Sequence, residues 1–125
     1  MNRFWAFMLL LLPASLTLTC GSGGNRQLQF VTIASVANGQ QIQFVATGTF
    51  SASPTTVTPL PVFWSYAPPP GQYTLTTQPF TFQCDFVGPY PSPLIAWAPP
   101  DPNAPSSGPL SAETMIRAST EINCP

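Results

Sequence analysis

The sequence predicts an all-β chain, with about seven or eight short antiparallel strands closing into one small sandwich behind a secretory leader. Three observations predict it. From Gln27 onward, apolar and polar residues alternate with a period of two and never sustain a period of 3.6. The 17 prolines fall mostly between the alternating runs, where a missing N–H costs no ladder bond. Two of the three cysteines, Cys84 and Cys124, each end a set of alternating residues expected to face inward.

The leader is expected over residues 1–19. Arg3 supplies a positive start, Phe4 through Leu12 an apolar run, and Pro13 with a short Ser/Thr/Leu stretch the approach to a processing site. That run is too short for the roughly 20 residues of a membrane-spanning helix, and Pro13 interrupts it. Thr17, Leu18, Thr19 and Cys20 resemble a lipobox with threonine on either side of the leucine. That resemblance implies lipidation at Cys20 and a membrane partner held through the N-terminal lipid. The alternative is ordinary cleavage between Ala14 and Thr19, leaving Cys20 as a thiol. Residues 20–26, with Gly21, Ser22, Gly23 and Gly24, read as a flexible tether. Gly21 stands where aspartate signals retention in the inner membrane. The expected location is therefore the cell envelope, as an outer-membrane lipoprotein or at the cell surface.

Residues 27–125 form the expected domain, of a size suited to a single core. Strands are expected at Leu28–Ile33, Gln41–Phe50, Thr55–Thr58, Val62–Tyr66, Tyr73–Thr77, Phe80–Cys84, Leu94–Trp97 and in a closing run from Met115 to Cys124. In the second of these, Ile42, Phe44, Ala46, Gly48 and Phe50 share one face, and Asn38 and Gly39 supply the turn before it. In the last, Ile116, Ala118, Thr120, Ile122 and Cys124 point inward, while Met115, Arg117, Ser119, Glu121 and Asn123 point to water. Ala67–Gly71 and Pro99–Pro109 read as proline-rich loops. Cys84 and Cys124 are expected to form a disulfide, with two buried free thiols as the alternative. Closing about 40 residues would contribute on the order of 4 kcal/mol by reducing unfolded-chain entropy.

Composition narrows the function. Beyond the leader, Arg26 and Arg117 stand against Asp85, Asp101, Glu113 and Glu121, a net charge of −2 with too few cations for nucleic-acid binding. The chain holds no His and no Lys, which removes the commonest general base, metal ligand and Schiff-base nucleophile together. No catalytic residue, metal site or cofactor is expected.

The run Asn38–Ser51 resembles the G-Q-x-x-x-F-x-A-x-G-x-F/Y-S strand of group 2 bacterial Ig-like domains. Val62, Phe63, Trp64 and Ser65 are similar to that family's V-x-W-S strand, and Thr114 through Ile122 stands where its closing strand would be. The usual S-x-N-x-x-V-A-x-V segment is replaced by a proline-rich one. The resemblance implies an immunoglobulin-like sandwich standing alone on a lipoprotein. It carries no ligand, since the fold hosts many functions.

Two functional readings follow, an adhesion or protein-interaction module and a carbohydrate-binding module. Tyr66, Tyr73, Tyr90 and Trp97 are the candidate contacts for a protein or glycan partner, Tyr90 and Trp97 as exposed loop aromatics. Trp64 reads as the core tryptophan, the alternative being a sugar platform with Phe63, Tyr66 and Tyr73. Asp101 and Asn103 read as turn residues, too few for a calcium site.

Overall fold

A computed structural model describes residues 26–66 and 70–125, and every regular element among them is a strand. The leader, Cys20 and the tether through Asn25 lie outside the described residues, as does 67–69 of the first proline-rich loop.

The chain begins with a long hairpin, β1 (Leu28–Asn38) and β2 (Gln41–Phe50), turning at Gly39 and Gln40. Gly39 has φ +64°, a left-handed conformation that glycine adopts without steric cost. The bounds and inward face of β2 are those expected: Ile42, Phe44, Ala46, Gly48 and Phe50 are all buried. β1 departs from expectation twice. A register shift between Leu28 and Phe30 inserts an extra residue, so Leu28 and Val31, three apart, both reach the core. The strand also runs five residues past Ile33, because Ala34–Asn38 pair with Gln41–Val45 despite little β-branched content.

β2 is bonded along both edges. Opposite β1, its Gln41–Phe44 half pairs with β6 (Phe80–Gln83), its Gly48–Thr49 end pairs with β3 (Thr56–Val57), and between them Ala46 O accepts from Leu60 N at 2.9 Å. The second sheet is three-stranded: β8 (Leu94–Ala98) lies between β4 (Phe63–Tyr66) and β10 (Ile116–Thr120), all antiparallel. Two small ladders complete the set, β5 (Gln72–Thr74) with β9 (Ser107–Pro109) and β7 (Gly88–Pro89) with β11 (Asn123–Cys124).

The two larger sheets enclose the core in two halves, consistent with a β-sandwich. In one half the small Ala46, Ala96 and Ala98 pack with Leu28, Phe50, Leu60 and Val62. The other is filled by Ile42, Phe44, Leu94 and Ile122 and closed by a disulfide between Cys84 and Cys124, with Cα atoms 5.9 Å apart. Free thiols are thereby set aside.

The closing strand is corrected in two respects. It breaks after Thr120, where β10 runs out of partner at Leu94, and resumes as β11 against β7. Glu121–Cys124 keep the expected alternation because Ile122 O still accepts from Tyr90 N at 2.8 Å. Met115, expected in water, is buried at the foot of β10 beside Trp97 and Tyr73.

A Cβ built on Gly48 would lie 2.8 Å from Leu60 Cδ1 and 2.9 Å from Leu28 Cδ1, both in buried side chains. Gly48→Val therefore lowers unfolding free energy by about 1–3 kcal/mol, the usual cost of overpacking. Urea titration reads it, and an unchanged midpoint would contradict the tight packing of that half.

Candidate functional site

Alternation along β4 and β8 decides where the aromatic side chains go. Trp64 and Tyr66 stand opposite Ala96 and Leu94 on the face toward the other sheet, whereas Phe63 and Ser65 stand opposite Trp97 and Ile95 on the outer face. Phe63 and Trp64 therefore point to opposite sides, and no common platform with Tyr66 and Tyr73 exists. Trp64, partly buried, packs against both halves of the core, as expected of an interior tryptophan, and its buried Nε1 has no partner among the described residues.

Trp97 is the more enclosed tryptophan, 3% exposed and part of β8, not a loop. Its surroundings form a third layer that alternation did not suggest. The β5–β9 ladder, with Tyr73, Leu75, Leu110 and Met115, covers the outer face around Trp97, Phe63 and Ile95. Trp97 Nε1 donates to Ser65 Oγ at 2.8 Å, Tyr73 OH donates to Pro105 O at 3.0 Å, and the Arg117 guanidinium lies over the indole at 5.4 Å. Trp97 and Tyr73, both candidates for partner contact, are thus buried and have structural work instead. The composition of the Pro99–Pro109 stretch did not mark this layer: Gly108 lies opposite Tyr73 in the β5–β9 ladder, and that partner is what makes Ser107–Pro109 a strand.

The two remaining candidates meet elsewhere. Tyr66 and Tyr90, each partly buried, flank Phe82, with centroids 5.5 Å and 4.7 Å from it, the second an edge-on contact. Tyr90 then stacks nearly parallel on Phe86, 4.1 Å apart and 13° inclined. The row Tyr66, Phe82, Tyr90, Phe86 leads from the core to the surface and ends on a side chain that sequence reasoning did not single out. Phe86 is 52% exposed and its neighbour Val87 79% exposed.

The turn carrying these two is tightly held. Cys84 anchors it through the disulfide and donates its N–H to Gln40 O at 2.7 Å. The phenolic oxygen of Tyr90 accepts from the N–H of Asp85 at 2.7 Å and of Phe86 at 3.3 Å, and Gly88 turns the chain with φ +110°. Exposed apolar side chains on a backbone fixed at three points are a preorganised contact surface. A cavity of about 150 Å³ lies beside them, lined by Gln40, Cys84, Asp85, Phe86, Val87 and Pro125.

Two other features have a smaller part. Asp101 accepts from Asn103 N through Oδ1 at 2.9 Å and from Ala104 N through its carbonyl at 3.0 Å, the turn chemistry expected there. At the end where the described chain begins, Arg26 lies 3.8 Å over the Phe50 ring and donates to Pro54 O at 2.7 Å, on the rim of an apolar cavity of about 170 Å³. Among the described residues no group of three or more His, Cys, Asp or Glu is placed to hold a metal ion. No family model, curated protein or solved structure matches this chain.

Two hydroxyls separate scaffold from site. Ser65→Ala leaves the buried Trp97 N–H unpaired and lowers global stability by about 1–3 kcal/mol, whereas Tyr90→Phe changes it by less than about 1 kcal/mol while speeding amide exchange at Asp85 and Phe86. Urea unfolding and residue-resolved hydrogen exchange check both. Equal global losses, or an unaltered 85–86 turn in Tyr90→Phe, would contradict the assignment.

Proposed function

We propose that this chain is an exported, non-enzymatic envelope protein, anchored by lipid at Cys20, whose immunoglobulin-like sandwich serves as an adhesion or interaction module. The observation that carries the reading is the Cys84–Cys124 disulfide. A buried disulfide is characteristic of proteins that fold in oxidising compartments, in keeping with the leader-like pattern of residues 1–19. The same bond fixes the turn bearing Phe86 and Val87.

The immunoglobulin-like assignment rests on the motif resemblance and on strand order. β1, β2 and β6 lie in one sheet and β4, β8 and β10 in the other, a division typical of seven-stranded sandwiches of that type. The first described residues and the contact surface also stand at opposite ends of β1. β1 starts two residues after Arg26 and runs 11 residues to the hairpin that Cys84 abuts, roughly 35 Å at the usual strand rise. A domain tethered through residues 20–26 would thus present Phe86 and Val87 away from the membrane. In a host with two membranes, Gly21 after the cysteine favours the outer one.

Fractionation of a bacterial host expressing the full chain, with mass spectrometry of the N terminus, tests the anchor. A diacylated Cys20 in the membrane fraction is expected, and Cys20→Ala shifts the protein to a soluble exported fraction with Cys84–Cys124 still oxidised. An unmodified chain retained in the cytoplasm with three free thiols would contradict the reading.

A further inference from the structure

The chemistry around the Phe86 turn specifies a ligand class. The cavity of about 150 Å³ is half the lower end of the ~300–1,000 Å³ that drug-sized ligands occupy, so it takes a single small ring with the rest of a ligand lying outside it. Its walls combine one aromatic ring with uncommitted polar groups. Phe86 has one face against Tyr90 and half its surface in solvent. The side-chain amide of Gln40 makes no hydrogen bond among the described residues, since only its main-chain carbonyl is engaged, by Cys84 N and Gln83 Nε2. The exposed Asp85 carboxylate likewise makes no hydrogen bond or ion pair among the described residues, the backbone N–H of Asp85 being the group that donates to Tyr90 OH.

From this combination the geometry points to a binding site for a neutral, N-acetylated pyranose, deepening and resting on the interaction-module reading. The slightly positive C–H face of a sugar ring complements the negative face of the Phe86 quadrupole. Asp85 accepts from ring hydroxyls, and the Gln40 amide can both donate to and accept from an acetamido group. Val87, 79% exposed at the cavity wall, offers an apolar surface to the acetyl methyl. Charge selects against acidic sugars. Asp85 is the one acidic residue and no basic residue stands among the lining residues, and the only described cations, Arg26 and Arg117, are committed to Pro54 O and Phe50 and to the Trp97 ring respectively. The turn is already held by Cys84, Tyr90 and Gly88, so binding need not order it.

Titration of the isotope-labelled full chain with N,N′,N″-triacetylchitotriose, followed by ¹H–¹⁵N spectra, tests the site, with maltotriose as a neutral glycan lacking the acetamido group. Saturable shifts are expected at Gln40, Asp85, Phe86 and Val87, with a dissociation constant on the order of 1 mM for a single-ring contact. Maltotriose is expected to bind more weakly. Phe86→Ala weakens binding about tenfold through loss of the aromatic face. Gln40→Ala, which preserves the main-chain bonds of that residue, weakens it about threefold, and Phe30→Ser, exposed at the opposite end of β1, leaves it unchanged. Dispersed spectra confirm that each variant is folded. No shifts with either sugar, shifts confined to another surface, or undiminished binding by both Phe86→Ala and Gln40→Ala would overturn the site, including the case in which the turn binds a protein. Such failure leaves the lipid anchor and the disulfide, which are measured separately, untouched.

Discussion

The inward face of β2 packed against the inward face of β8 is the interaction on which the rest of the structure depends. In one half Ala46 on β2 and Ala96 and Ala98 on β8 share a cluster with Leu28, Leu60 and Phe50, and Leu28 and Leu60 close over Gly48. In the other half the larger side chains of Phe44, Leu94 and Ile122 fill the core. With so few charged residues to arrange, the domain takes its stability from this apolar contact and from the covalent bond beside it. Because β2 is hydrogen-bonded along both edges, shifting its register by one residue would expose four core side chains and dislocate three neighbouring strands together.

That dependence explains what could be read from the sequence. The bounds of β2 and the pairing of Cys84 with Cys124 were legible because half-buried strands write their burial as alternation. Elements whose reason for existing lies in a neighbour were not legible. Ser107–Pro109 has no strand propensity, yet forms β9 because β5 and the covered face around Trp97 supply a partner. Ala34–Asn38 belongs to β1 only because β2 lies alongside it. The break after Thr120 left no mark on the periodicity, since the chain changes partners while its side chains keep alternating.

The candidate contacts divided along the same line. Exposed and buried aromatic residues look alike in sequence, and in a sheet covered on both faces either parity can be interior. Tyr73 and Trp97 were absorbed by the third layer, while Tyr66 and Tyr90 became the supports of a surface they do not themselves dominate. Phe86 was overlooked because it follows Asp85 in a short turn with no alternation to mark it. Its significance arises from a parallel stack on Tyr90 and a turn pinned by sulfur, both relations between residues apart in the chain or in space. Rigid support with a small exposed tip is how sheet scaffolds commonly present recognition loops.

Native-state hydrogen exchange, resolved by residue, measures the central packing most directly. The account predicts that the slowest amides, those opening only with global unfolding, belong to β2 and β8, with Phe44, Ala46 and Ala96 among them, and that β5 and β9 exchange through smaller openings. Greatest protection in the β5–β9 layer, or β2 amides exchanging as fast as those of the Pro99–Pro109 stretch, would contradict it.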